Sequence, residues 1–178
     1  MTPALRPALA AMLLALAAPV SAASPAASPA PSAANARKAA PAHPDFTGRW
    51  RLCVQGSEYA GAIGARPRER RDEIVMRGDT LSEHSFTVRE GGDTLQLRYR
   101  YATDGREVTN EVAGSDVRST ARWDANALVI ESHASMLLLD VSVRERWTLS
   151  PDGRTLVMER VSKLPVGSSR QRLVFARE

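Results

Sequence analysis

Cysteine is almost absent. Cys53 is the single one in 178 residues, so no intrachain disulfide forms and the fold has to be held by burial of apolar side chains. Histidine is scarce too: His43, His84 and His133 have no metal-ligand spacing to one another or to Cys53, which argues against a metal centre. No serine sits in a nucleophile-elbow pattern with a base and an orienting acid, so the residues give no reason to expect an enzyme, and no cofactor motif is present. Only two lysines, Lys38 and Lys163, accompany abundant Arg, Ala and Pro, a bias that suits a GC-rich genome better than selection for phosphate contacts. The longest apolar run, Ala8 to Ala18, falls well short of the about 20 residues that span a bilayer. No transmembrane segment is expected in the mature protein.

What that run does fit is an export signal. Arg6 precedes it without any acid, and Pro19-Val20-Ser21-Ala22 supplies the small residues of a cleavage site, so residues 1–22 read as a signal peptide. With no cysteine at the cleavage point, lipid attachment is not expected, and the address is the periplasm or the medium of a bacterium. Residues 23–44 are almost entirely Ala, Ser and Pro, a composition that cannot repay the entropy of ordering, and read as a disordered linker. Residues 45–178 are then the folded domain, large enough for one core and too small for two. The formal charge of +4 loses Arg6, Arg37 and Lys38 with the leader and linker, which leaves +1 and no footprint for nucleic acid.

Beyond residue 45 the hydrophobic period is two. Leu95, Leu97, Tyr99 and Tyr101 share one face against Gln96, Arg98 and Arg100. Val117, Ser119, Ala121 and Trp123 repeat the pattern, as do Val141, Val143, Glu145, Trp147 and Leu149. The opposite faces are rich in arginine, which suits a barrel in water rather than one facing lipid. Turn residues at Gly78-Asp79, Gly91-Gly92-Asp93, Asp104-Gly105, Asp124-Ala125-Asn126 and Pro151-Asp152-Gly153 punctuate the strands as sequential hairpins. The one long connection, Val54 to Arg71, holds the best helical candidate, Gly64 to Asp72, which lacks an apolar face. The expected fold is all-β: a single antiparallel up-and-down β-barrel of about nine or ten strands, closed because an open sheet would expose its edges.

At the first strand, Gly48-Arg49-Trp50 within Asp45 to Leu52 resembles the G-x-W opening of the lipocalins and their calycin relatives. Tyr101 to Glu107 and Trp147 to Leu156 are similar to bacterial exported lipocalin-like domains. The resemblance implies a lipocalin-like cup for small, often apolar molecules, with an arginine or lysine near the end of the last strand packed over the tryptophan. Arg170, Arg172 and Arg177 are available for that position. It supplies no catalytic residue, and it assigns no role to the basic segment Ala60 to Arg71.

Candidate pocket residues follow from the inward faces: Trp50, Tyr99, Tyr101, Asn110, Trp123, Glu145, Trp147 and Arg160. Glu145 shares a face with Val143 and Trp147, and a buried carboxylate needs a partner. Arg160 aligns with Leu156 and Met158, so an internal pair forms if these strands make a hairpin through residues 151–153; a local bulge would turn either residue outward. Arg66, Arg68, Arg70 and Arg71, interleaved with Glu69, Asp72 and Glu73, read as a solvated, self-neutralising loop. Two functions remain open. One is an exported carrier of a small apolar or amphipathic ligand inside the barrel, without catalysis. The other is a filled barrel that binds an envelope protein, or inhibits one, through its surface loops.

Overall fold

The computed structural model describes residues 43–61, 66–136 and 139–178. The segment read as a signal peptide and nearly all of the linker lie outside the described residues. Period-two segments become strands, eleven of them among the described residues. They are β1 (Gly48–Leu52), β2 (Glu58–Gly61), β3 (Glu69–Arg77), β4 (Thr80–Val88), β5 (Thr94–Ala102), β6 (Val108–Val112), β7 (Ser115–Asp124), β8 (Ala127–Met136), β9 (Leu139–Leu149), β10 (Thr155–Leu164) and β11 (Gly167–Arg177).

All pairings are antiparallel and run in the order β5-β4-β3-β1-β11-β10-β9-β8-β7-β6, with β2 also on β11. Neighbours in this order are consecutive in sequence except at one place. There β1 lies between β3 and β11, which joins the first strand to the last and bends the sheet round on itself. The two ends of the sheet, β5 and β6, meet at a seam without a ladder. The Arg100 amide donates to Asn110 Oδ1 at 2.7 Å, and Asn110 Nδ2 donates to the Arg100 carbonyl at 3.0 Å, so one side chain stands in for a pair of ladder bonds. Further along, the Gly105 amide donates to the Ala121 carbonyl at 2.9 Å. The result is a nearly closed barrel of ten strands, as the hairpin cadence implies.

The expected connection from Val54 to Arg71 differs in two places. The extra strand β2 arises because the first strand is interrupted by the 3₁₀ turn Val54–Gly56, after which the chain returns to β11. Ser57 repairs the interruption: its hydroxyl donates to the Cys53 carbonyl at 2.9 Å and accepts from the Val174 amide at 3.0 Å. Secondly, the charged stretch ending at Asp72 is not all connection. Residues Glu69–Arg77 form β3, with Arg70, Asp72 and Ile74 buried and Arg71 and Glu73 exposed. The alternation of charge there has the strand period, because buried ionic partners can occupy inward positions that apolar side chains usually take.

The core fills one half of the barrel. Phe46, Trp50, Ile74, Leu81, Leu128, Trp147, Leu156, Met158 and Phe175 are all at most 0 % exposed and form one cluster with Ile130 and Leu173. Phe46 sits under the end of this half, edge-on to Trp147 at 6.0 Å and stacked at 5.8 Å on Trp123. The outer face carries the arginines, tied across strands in ion pairs such as Arg122–Glu131–Arg144.

Candidate functional site

At the other half of the barrel the inward side chains do not meet, and a cavity of about 560 Å³ remains. That volume lies within the about 300–1,000 Å³ of small-molecule sites. Its walls are apolar over Leu95, Leu97, Val117, Val141, Val143 and Leu173. Arg66, Arg89 and Glu90 stand at the mouth and are exposed.

Between the cavity and the aromatic core lies an ionic layer. Arg70 donates through Nε to Asp72 Oδ1 and through Nη2 to Asp72 Oδ2, both at 2.9 Å. The same Nη2 reaches Glu83 Oε1 at 3.1 Å. Opposite, β9 and β10 pair so that Glu145 and Arg160 are direct cross-strand partners, and Arg160 Nε donates to Glu145 Oε1. The second oxygen of Glu145 accepts from Trp147 Nε1 at 2.9 Å, which anchors the layer to the core beneath it.

Low polarity in this layer moves its protons. Burial pushes the Glu83 carboxyl up to about 8, with Asp72 and Glu145 adding to the rise and Arg70 and Arg160 opposing it. Burial works against the charge of Arg70, yet Asp72 and Glu83 outweigh it and hold the guanidinium above its ordinary value. Burial also raises the phenols of Tyr99 and Tyr101, with Glu83 adding to both, so they stay neutral. Their rings are stacked 5.8 Å apart. The Tyr59 hydroxyl is buried in the cavity wall with no hydrogen-bond partner among the described residues.

Of the residues expected in a pocket, Tyr99, Tyr101, Glu145 and Arg160 line this cavity together. The three tryptophans do not. Trp50 and Trp147 are fully buried in the packed half, and Trp123 lies against it, stacked on His43 at 4.3 Å. Asn110 is spent on the seam and does not line the cavity. The sequence reading missed Arg70, Asp72 and Glu83. Their signal was the period of two in Arg70, Asp72 and Ile74 and again in Leu81, Glu83 and Ser85. Among the described residues no His, Cys, Asp or Glu side chains gather in a group able to hold a metal ion.

No protein-family model and no curated protein matches the chain. Among solved structures, a secretory abundant heat soluble (SAHS) protein from Ramazzottius varieornatus is similar over 75 % of this chain and 95 % of its own, at 11 % identity and a TM-score of 0.50. The zebrafish ileal bile acid-binding protein complexed with cholic acid is similar over 75 % and 98 %, at 14 % identity and a TM-score of 0.49. The likeness to the SAHS protein supports a calycin-like barrel, and at this identity it is one of fold alone.

Proposed function

We propose that this chain is a carrier, exported by a bacterium to its periplasm or medium, that holds one small apolar or amphipathic molecule in the hollow half of the barrel without turning it over. The observation that carries this reading is the cavity of about 560 Å³, with a largely apolar wall and the buried ionic groups Arg70, Glu83, Glu145 and Arg160 along part of its lining. Such a division suits a molecule with a greasy body and one polar group. The composition of residues 1–22 supports export. The alternative, a filled barrel working through its loops, is favoured less by an interior that holds this cavity.

Native mass spectrometry of the protein purified gently from its own host tests the reading. A stoichiometric small molecule that leaves on denaturation is the expected result. An empty protein that also excludes apolar fluorescent probes would sink the carrier model.

A further inference from the structure

The ionic layer is unbalanced. It brings three acids, Asp72, Glu83 and Glu145, against two guanidiniums, Arg70 and Arg160. Asp72 holds a two-pronged bond from Arg70, and Glu145 has a donor on each oxygen, from Arg160 and from Trp147. Glu83 is left with one bond at 3.1 Å from a nitrogen it shares with Asp72. Its side chain is nearly buried, and it lines the cavity. The acid in surplus therefore lines the cavity, beside Arg70, Glu145 and Arg160.

Two tyrosines neighbour that acid. Tyr99 is the direct cross-strand partner of Glu83, Tyr101 stacks on Tyr99, and both line the cavity. A carboxylate set among tyrosine rings is the chemistry that recognises an alkylammonium, through an ion pair and through attraction of the cation to the ring faces.

We propose that the polar group of the ligand is a cationic amine, seated against Glu83 and the faces of Tyr99 and Tyr101, with its hydrocarbon part along the apolar wall. The inference rests on the carrier reading and names the substrate class of the same cavity. Near neutrality the empty protein keeps a proton on Glu83, since burial raises that carboxyl. The arriving cation takes the place of this proton, so binding releases one proton and tightens as pH rises. The groups that face Glu83 are Arg70 and Asp72 from β3, Tyr99 and Tyr101 from β5, Glu145 from β9 and Arg160 from β10. Four arginines line the cavity: Arg70 and Arg160 are ion-paired with Asp72 and Glu145, and Arg66 and Arg89 are at the solvent-facing mouth, where water and salt screen them.

Titration calorimetry of the full chain with decylamine, decanoate and decanol, three probes of one chain length, distinguishes the head groups. The expected result is decylamine tighter than both others by about tenfold or more. It should come with proton release, read from the dependence of the heat on buffer ionisation. Glu83→Gln should bring decylamine down to the level of decanol, Tyr99→Leu should weaken it severalfold, and Glu131→Gln on the outer face should change nothing. Decanol binding by the variants reports that their cavity persists. Decanoate binding tighter than decylamine, or a preference that survives Glu83→Gln, overturns the amine. Failure of all three probes, together with exclusion of apolar dyes, overturns the carrier reading and the amine with it.

Discussion

Arg177, near the end of the last strand, lies with its guanidinium 4.3 Å from the ring centre of Trp50 on the first. Of the three arginines that the lipocalin-like resemblance left available, this one takes the position. It is held there by bonds from Nη1 to the Thr47 carbonyl at 2.5 Å and from Nε to the Gly153 carbonyl at 2.7 Å. Gly48 makes room: its φ is +153°, and a Cβ there would stand 2.5 Å from Arg177 Nη1. The first and last strands are thus pinned together at the packed half of the barrel.

Removing that pin should cost stability. Arg177→Ala forfeits an exposed cation–π contact of about 0.5–1 kcal/mol and two charge-assisted bonds, so a loss of about 2 kcal/mol is expected. Gly48→Ala should lose a similar amount, because the methyl displaces the same guanidinium. In urea unfolding the double variant should lose clearly less than the sum of the two; full additivity would show that Gly48 serves only its own backbone.

Glu145 and Arg160 should behave as a unit. Glu145→Ala leaves the Arg160 charge and the Trp147 N–H without their partner, and a loss of about 3 kcal/mol is expected. The double change Glu145→Leu with Arg160→Met should recover most of it, since apolar side chains of similar volume need no partner. A double variant less stable than Glu145→Ala would contradict this.

The seam depends on one amide. Asn110→Ala should destabilise by about 1–3 kcal/mol, because both polar groups of the Arg100 backbone lose their partner. Hydrogen exchange offers the sharper reading: the Arg100 amide should exchange much faster in the variant, while amides of the β9–β10 ladder keep their protection.

Glu83 should make stability fall with rising pH. Its folded value of about 8 lies above the roughly 4.3 of an unfolded glutamate, so between these limits the folded state binds more protons than the unfolded. The contribution is complete below pH about 4 and is lost as pH climbs through 8, with a slope of at most about 1.4 kcal/mol per unit. Urea midpoints from pH 5 to 9 should decline more steeply for the native protein than for Glu83→Gln. Equal slopes would place the proton elsewhere.

Filling the cavity should abolish binding without abolishing the fold. Val143 lines the wall and is only partly buried, so Val143→Trp projects an indole into open space. Uptake of an apolar dye should vanish while the cooperative thermal transition stays; undiminished uptake would locate dye binding outside the barrel.

The sequence by itself determined which side chains face inward. Period two sets the face of every residue along a strand, so Tyr99, Tyr101, Glu145 and Arg160 were legible as interior groups. Glu145 and Arg160 were even legible as partners, because a hairpin through residues 151–153 makes their register local. Tertiary structure decided the rest. Whether an inward side chain meets a neighbour or a void depends on how ten strands close and on what the opposite wall supplies. That is why Trp50, Trp123 and Trp147 ended in the packed half and not at the cavity. Arg70 and Asp72 read as part of a solvated loop and Glu83 gave no signal of its own beyond the strand period, since burial of an ion becomes affordable only beside a partner, and β4 supplies Glu83 only once β3 pairs with it. Asn110 became the clasp of the seam because closure brought β6 to an edge of β5 that had no ladder partner.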